Sequence, residues 1–341
     1  MEMTKMEFNV LKSIMDLVSF FLVSTVLVIK AIIYGCLPKS YKKKKNFENE
    51  IVLITGGAGG IGRLVALKLA KLNAKIVLWD VDTSGIEDAV NQVRGIGGKA
   101  YGYKCDLTDR EDVYRTANKV YEEVGQVTIL INNAGIASGR LLLDTPDHLI
   151  QRTFDVNIIS HFWTTKAFLP KMIDSNHGHI VTIASLAGHI GVHKLVDYCS
   201  SKFAAVGFDE SLRIELEKLG VTGVKTTVVC PYFIQATGMF NDVVSRFVPT
   251  LKSTQVADEI VEAIELEKLS VIIPRYLGIL CVKWILPWTV ISLFMRNIVS
   301  NAGPTHAEAL PHENKKMPEK GMFQTNAESE LHHRAHVTEK R

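Results

Sequence analysis

Ile51-Val52-Leu53-Ile54-Thr55-Gly56-Gly57-Ala58-Gly59-Gly60-Ile61-Gly62 is an apolar run of strand length that turns at once into a glycine-rich loop. Beyond it, Leu64, Ala66, Leu67, Leu69, Ala70 and Leu72 recur with a helical pattern. Strand, glycine turn and helix, in that order, are the parts of a dinucleotide site. Glycines let the backbone approach a pyrophosphate, and the helix N-terminus supplies unpaired N–H groups and the positive end of a dipole. Thr55, Gly56, Gly60, Ile61 and Gly62 are therefore candidate cofactor residues. The next strand, residues 75–79, ends at Asp80, 18 residues after Gly62. A carboxylate there accepts hydrogen bonds from an adenosine ribose and repels a 2′-phosphate. No Arg or Lys occupies position 59 or 81 to attract such a phosphate, so the expected cofactor is NAD rather than NADP.

The alternation of strands and helices continues outward. Helices are expected at residues 84–94, 110–124, 158–173, 198–219 and 255–267, and strands at 100–105, 128–131, 179–184, 223–230 and 271–273. Apolar strands separated by helices predict an α/β fold: a single Rossmann-like, doubly wound parallel sheet with helices on both faces. Right-handed crossovers follow, and ligands sit at the carboxyl ends of the strands. The glycine loop, Asp80, Asp106-Leu107, the run Asn132-Asn133-Ala134-Gly135, Ser185 and Pro231 all fall at such ends.

One constellation carries chemistry. Tyr198 and Lys202 are four apart on a predicted helix and share a face. Ser185, thirteen residues before Tyr198, closes the preceding strand and can meet them. A phenol, an ammonium and a hydroxyl brought together can move a proton to or from a hydroxyl or carbonyl oxygen. The ammonium is expected to lower the phenol from its free value of about 10. Alone, a Tyr and a Lys at this spacing are usually an exposed pair. The dinucleotide site upstream is what gives the pair meaning.

The rest of the chain bounds the setting. With 341 residues, 47% of them hydrophobic, it can bury a sizeable core. A net charge of +3, with no basic stripe interleaved with aromatics, gives no reason to expect nucleic acid. The five cysteines are widely spaced, with no CxxC pair, so neither a disulfide framework nor a zinc site is indicated. Scattered histidines (His177, His179, His189, His193 and five in the tail) lack the context of a metal site, and no metal is expected. Residues 17–37 are apolar but for Lys30, long enough to span a hydrocarbon core, and are followed by a basic run ending at Lys45. That order suits an uncleaved anchor with the following chain on the cytosolic side; a helix lying in the interface is the alternative. A second apolar stretch, Tyr276 to Met295, contains Trp284, Pro287 and Trp288. It reads as a membrane-associated segment near the substrate mouth, or as a core or dimer helix. The resulting organisation is anchor and basic flank 1–45, catalytic domain 46–275 after a short polar linker at 46–50, apolar segment 276–300, and a disordered polar tail 301–341.

With these residues in hand, the chain resembles the short-chain dehydrogenase/reductase family over about residues 50–275. The likeness rests on Thr55-Gly56-x3-Gly60-x-Gly62, Asp106-Leu107, Asn132-Asn133-Ala134-Gly135, Asn157, Ser185, Tyr198-x3-Lys202 and Pro231. Within the family it is similar to the membrane-bound branch of retinol and lipid-droplet 17-beta-hydroxysteroid dehydrogenases. The resemblance implies Tyr198 as general acid–base, Lys202 holding the nicotinamide ribose, Ser185 orienting the substrate oxygen, and Asn157 supporting a proton relay. It implies cofactor contacts from Asp106, Leu107, Asn133, Ala134, Gly135, Pro231, Ile234 and Thr237. Thr237 lies six residues after Pro231, one more than is usual in the family, and Tyr232 replaces a common Gly. The implied substrate is a lipophilic alcohol or its carbonyl, retinol first and a hydroxysteroid or other lipid carbonyl second. The implied setting is the endoplasmic reticulum membrane or lipid droplets, with a homodimer left open. A non-catalytic scaffold would need none of Ser185, Tyr198, Lys202 and Asn157.

Overall fold

The structure, a computed structural model, describes residues 2–38, 41–235, 244–245 and 248–301. Thr237, Lys39 and residues 302–341 of the expected tail, with their histidines, lie outside the described residues. The chain starts with a helix, α1 (Glu2–Cys36). It begins well before the apolar stretch that predicts it, and no residue from Lys12 to Gly35 is buried. The Lys42 ammonium reaches back to the Gly35 carbonyl (3.4 Å), satisfying one of the helix's last free acceptors.

The α/β body follows as β1 (Ile51–Thr55), α2 (Gly60–Ala70), β2 (Lys75–Asp80), α3 (Thr83–Gly95), β3 (Lys99–Lys104), α4 (Arg110–Glu123) and β4 (Ile129–Asn132). Then come α5 (Asp147–Phe154), α6 (Ser160–Asp174), β5 (Gly178–Ile183), α7 (Val196–Lys218), β6 (Val224–Pro231), a two-residue β7 (Val244–Ser245), α8 (Ser253–Glu265) and β8 (Ser270–Ile273). A 3₁₀ helix (Arg275–Ile285), α9 (Trp288–Ile298) and β9 (Val299–Asn301) close the described chain. The main sheet has seven strands in the order β3-β2-β1-β4-β5-β6-β8, every neighbouring pair parallel. β7 and β9 pair antiparallel as a separate ribbon.

Alternation along the strands feeds two cores. Val52 and Ile54 point to the face covered by α2, α3 and α8, and Leu53 to the face covered by α4 and α6. All five β1 residues are buried, as a central parallel strand requires. Helix starts are fixed locally: Asp82 accepts from the Gly85 N–H (3.0 Å), and Asp109 from the Glu111 N–H (2.9 Å). The sequence reversal between β1 and β4 opens the crevice at their carboxyl ends, where such folds take ligands.

Two features differ from expectation. Residues 46–50 are not a loose linker: Phe47 is buried in the core, and the Lys45 ammonium sits between Glu50 (3.8 Å) and Glu267 (3.6 Å). Between α5 and α6, where a helix was expected from residue 158, the chain makes a π turn at Asp155–Ile159. Hydrophobic periodicity does not register such a turn, because it inserts a residue without breaking the helix.

Candidate active site

The loop after β1 is shaped by close backbone approach. Gly56 has a φ of +65°, and a Cβ there would come within 2.9 Å of the Ala134 Cα. A Cβ on Gly62 would collide with the Gly56 carbonyl oxygen. Gly59 caps α2 with no side chain, so the first N–H groups of that helix face the cavity uncovered. The Asp80 carboxylate points at the same loop: one oxygen accepts from the Ala58 N–H (3.0 Å), the other from the Val81 N–H (2.8 Å). An anion-seeking helix end beside a fixed carboxylate suits the pyrophosphate and ribose of a nicotinamide dinucleotide.

Thr55 and Asn133 tie the loops after β1 and β4 together. The Thr55 hydroxyl accepts from the N–H groups of Asn133 (2.9 Å) and Ala134 (3.1 Å), and the Asn133 amide donates to the Thr55 carbonyl (2.9 Å). Thr55 is thus buried behind the loop, and its role is to hold the loop rather than to face the cavity.

At the other half of the cavity, Tyr198, Lys202 and Ser185 converge. The Lys202 ammonium donates to the Ile183 carbonyl (2.9 Å) and lies 5.7 Å from the Tyr198 ring centroid. The Ser185 side chain hydrogen-bonds to the Tyr198 phenol; its hydroxyl also accepts from the Ala187 N–H (3.1 Å) and donates to the Pro231 carbonyl (3.4 Å). Burial dominates the titration of both ionisable groups. It pushes Tyr198 up to about 12, opposed by the Ser185 hydrogen bond, and pushes Lys202 down to about 8. The expected depression of the phenol by Lys202 is therefore not what the protein alone produces. Each group is instead held toward its neutral form by desolvation.

Asn157 sits fully buried in the π turn, one helix behind this pair. Its side-chain oxygen accepts from the Ile136 N–H (2.8 Å), and its amide donates to the Ile136 carbonyl (2.9 Å) and to the Ser201 hydroxyl (2.9 Å). Ser201 in turn donates to the Tyr198 carbonyl (2.7 Å). The side chain of Asn157 is thus spent on fixing the loop after β4 to the helix that carries Tyr198.

A cavity of about 320 Å³ runs through these parts. Gly56, Gly60, Ile61, Asp80, Asn133, Ala134 and Gly135 line one half; Ser185, Tyr198, Lys202, Pro231 and Ile234 line the other. Asp106 and Leu107 end β3 outside this lining: the Asp106 carboxylate accepts from the Thr108 N–H (2.9 Å), and Leu107 is in the core. Unanticipated are the apolar walls Leu186, Ile190, Val192, Leu195, Tyr232 and Phe233. Their sequence carries no signal beyond being apolar in a loop. Also unforeseen is His161, on α6: burial, aided by the Lys202 charge, pushes it down to about 3. Among the described residues, no group of three or more His, Cys, Asp or Glu is placed to hold a metal ion. Cys105, Cys199 and Cys230 are buried and form no disulfide.

Comparisons with known proteins agree with this geometry. The family profile for short chain dehydrogenases matches residues 50–246. The chain is 46% identical over 287 residues to short-chain dehydrogenase/reductase family 16C member 6 of Bos taurus, covering 83% of this chain and 86% of that one. It is also 46% identical to mouse estradiol 17-beta-dehydrogenase 11 (80% and 90% covered) and to human epidermal retinol dehydrogenase 2 (80% and 88% covered). Among solved structures, a short chain dehydrogenase/reductase from Burkholderia phymatum in complex with NAD superposes with a TM-score of 0.64 at 26% identity, covering 78% of this chain and all of that one. A metagenomic short-chain oxidoreductase in complex with NADP gives 0.58 at 26% identity, covering 67% and 98%.

Proposed function

The chain belongs to the short-chain dehydrogenase/reductase family, and we propose that within it the protein oxidises a lipophilic alcohol, all-trans-retinol first, to its carbonyl with NAD. The observation that carries this reading is the meeting of Ser185, Tyr198 and Lys202 on the wall of one cavity whose other half is the glycine loop and Asp80. Relatives named as retinol and as estradiol dehydrogenases are equally similar at 46%, so a 17-beta-hydroxysteroid is the second substrate class to test.

The dinucleotide, when bound, accepts or supplies the hydride. Gly56, Gly60 and Ile61 would hold its phosphates, Asp80 its adenosine ribose, and Asn133, Ala134, Gly135, Pro231 and Ile234 the nicotinamide half; Gly62 does not line the cavity and serves the loop by its close packing on the Gly56 carbonyl. Asp106 and Leu107, just beyond β3, do not line the cavity and are kept as neighbours of the adenine on the family resemblance. Thr237 is retained as a contact of the carboxamide on the family resemblance. Asp80 favours NAD, since its carboxylate would repel a 2′-phosphate.

In oxidation Tyr198 first loses its own proton to solvent and as phenolate takes the proton of the substrate hydroxyl; in reduction the phenol gives that proton to the carbonyl oxygen. Ser185, already within hydrogen-bonding reach of the phenol, holds the substrate oxygen. Lys202 supplies positive charge beside the phenolate as it forms. Burial lowers its own value to about 8, so it too can release a proton as pH rises. Asn157 acts as a positioning residue for Tyr198 through Ser201; a part in the proton relay is carried over from the family resemblance alone. The apolar walls Leu186, Ile190, Val192 and Leu195 suit a polyene or a sterol better than a sugar or an acid.

The anchor reading belongs to the same proposal: α1 holds the protein in the endoplasmic reticulum membrane, the catalytic domain faces the cytosol, and lipid droplets are a second location. The described span Lys12–Gly35 is 24 residues, about 36 Å of helix against a hydrocarbon core of about 30 Å. The test of function is a panel of retinol, estradiol and long-chain alcohols offered to membranes carrying the protein, with NAD and NADP in parallel. NADH formation with retinol or estradiol bears the reading out; reduction of NADP alone would overturn the role given to Asp80.

A further inference from the structure

Two apolar parts of the chain leave the domain at one and the same edge. The first is α1. Residues 37–43 connect it to Lys44, and seven residues reach at most about 25 Å. Lys44 and Lys45 are not loose: the Lys45 N–H donates to the Glu265 carbonyl (2.7 Å), Lys44 pairs with the Glu265 carboxylate (3.0 Å), and Lys45 pairs with Glu267. The tether is therefore fixed to the end of α8, directly before β8. The second part is the 3₁₀ helix Arg275–Ile285, which leaves the end of β8. Its inner side is seated: Leu277 is buried, Leu280 packs against the core, Gly278 lies against Ile272, and the Lys283 ammonium stands 4.8 Å over the Phe203 ring of α7. With three residues per turn, side chains three apart stack in a row. Tyr276, Ile279 and Ile285 fall on one such row and are 61%, 71% and 80% exposed, and Trp288 at the start of α9 is 75% exposed. A helix fixed on one side and apolar on the other, with Tyr and Trp at its ends, has the composition of a segment at the membrane–water boundary.

Resting on the anchor reading above, we propose that the α8–β8 edge is the membrane-facing side of the domain, with Tyr276, Ile279, Ile285 and Trp288 resting in the phospholipid bilayer that takes α1. With the tether docked at the amino end of β8 and the apolar row starting at its carboxyl end, one bilayer meets both directly when β8 lies along the surface rather than pointing at it. The sheet then stands edge-on, with β3 at the far side. Six strand spacings of about 4.8 Å put that edge about 29 Å away. The loop after β6, the neighbour of β8, carries Tyr232, Phe233 and Ile234 of the cavity wall. This wall is the part of the cavity nearest the lipid, so an apolar substrate would arrive sideways from the bilayer while the cofactor half opens to water.

The test is photo-crosslinking of the full chain in phosphatidylcholine vesicles, with a benzophenone side chain placed singly at Phe21, Ile279, Ile285 or Ile96. Ile96 is an exposed residue just before β3, at the opposite edge. Each variant is first shown to retain NAD binding, so that only folded protein is read. Lipid adducts at Phe21, Ile279 and Ile285, at least about tenfold above Ile96, are the expected result for interfacial burial of one edge. Adducts at Phe21 with Ile279 and Ile285 no higher than Ile96 would overturn the edge assignment and leave the anchor standing. Absence of adducts at Phe21 as well would overturn both, without touching the reading of the active site.

Discussion

Tyr198 and Lys202 illustrate how a single residue can serve chemistry at the expense of stability. Lys202 titrates near 8 when folded and near 10.5 when unfolded, so the unfolded chain binds more protons between those values. Stability should therefore rise with pH across that window, and the destabilisation should be complete below pH 8. In the cofactor-free protein, Lys202→Met should show its most favourable change in Tm below pH 8, and the difference should shrink as pH approaches 10.5. Melting curves taken across that range check this, and a pH-independent difference would mean that the ammonium is not desolvated. Asp80 makes a different prediction, because its carboxylate holds the Ala58 N–H as well as facing the ribose site. Asp80→Ala should raise the KM for NAD about tenfold, the worth of a charge-assisted hydrogen bond, and narrow the gap to NADP. Steady-state kinetics with both cofactors would show it; an unchanged preference would remove Asp80 from cofactor selection. Asp80 and Tyr198 were both legible in the sequence because each sits at a fixed distance from a recognisable landmark. The titration of Tyr198 was not, since desolvation depends on everything packed around it.

At the scale of elements, the glycine turn works because β1, the loop and α2 leave no room for a Cβ at Gly62. Gly62→Ala would push the new methyl into the Gly56 carbonyl. Strain of this kind costs on the order of 1–3 kcal/mol, about five- to 150-fold in affinity if it is relieved by moving the loop. Titration of NAD against the variant should show that loss with the circular dichroism spectrum intact; wild-type affinity would mean that the loop adjusts freely. The strands and most helices could be read from apolar runs of the right length, because a parallel sheet buried on both faces leaves its strands uniformly apolar. α5 and the π turn at Asp155–Ile159 could not. Residues 147–154 are mostly polar, and an inserted residue inside a helix changes no pattern that composition records. Asn157 was identified only by family resemblance, and its geometry, bridging Ile136 and Ser201, came from the structure. Residues 46–50 look like a linker for the opposite reason: Phe47 and Lys45 are single anchoring residues in a polar stretch, and a lone aromatic carries no periodicity.

At the level of the whole molecule, the proposed α8–β8 edge would join the catalytic sheet to a membrane. Deleting residues 1–38 should convert firm attachment to weak, reversible binding, because an interfacial row holds a protein far less strongly than a spanning helix. Flotation with vesicles, with and without high salt, distinguishes the two, and unchanged attachment would mean that α1 is not the main anchor. In sealed microsomes, added protease should digest the catalytic domain without detergent, since the basic run after α1 favours the cytosolic side; complete protection would reverse the orientation. The architecture was legible from the sequence, whereas the common edge was not, because it follows from where Lys44, Lys45 and the 3₁₀ helix land in space. The central claim is that Tyr198, within this cavity, oxidises a lipophilic alcohol with NAD. Its most direct test is NADH formation from retinol by membranes carrying the wild-type chain or Tyr198→Phe, alongside NAD binding by both. The account predicts turnover by the wild type, a loss of about 10²–10⁴-fold in the variant, and equal NAD binding. Equal turnover by the two proteins would contradict it.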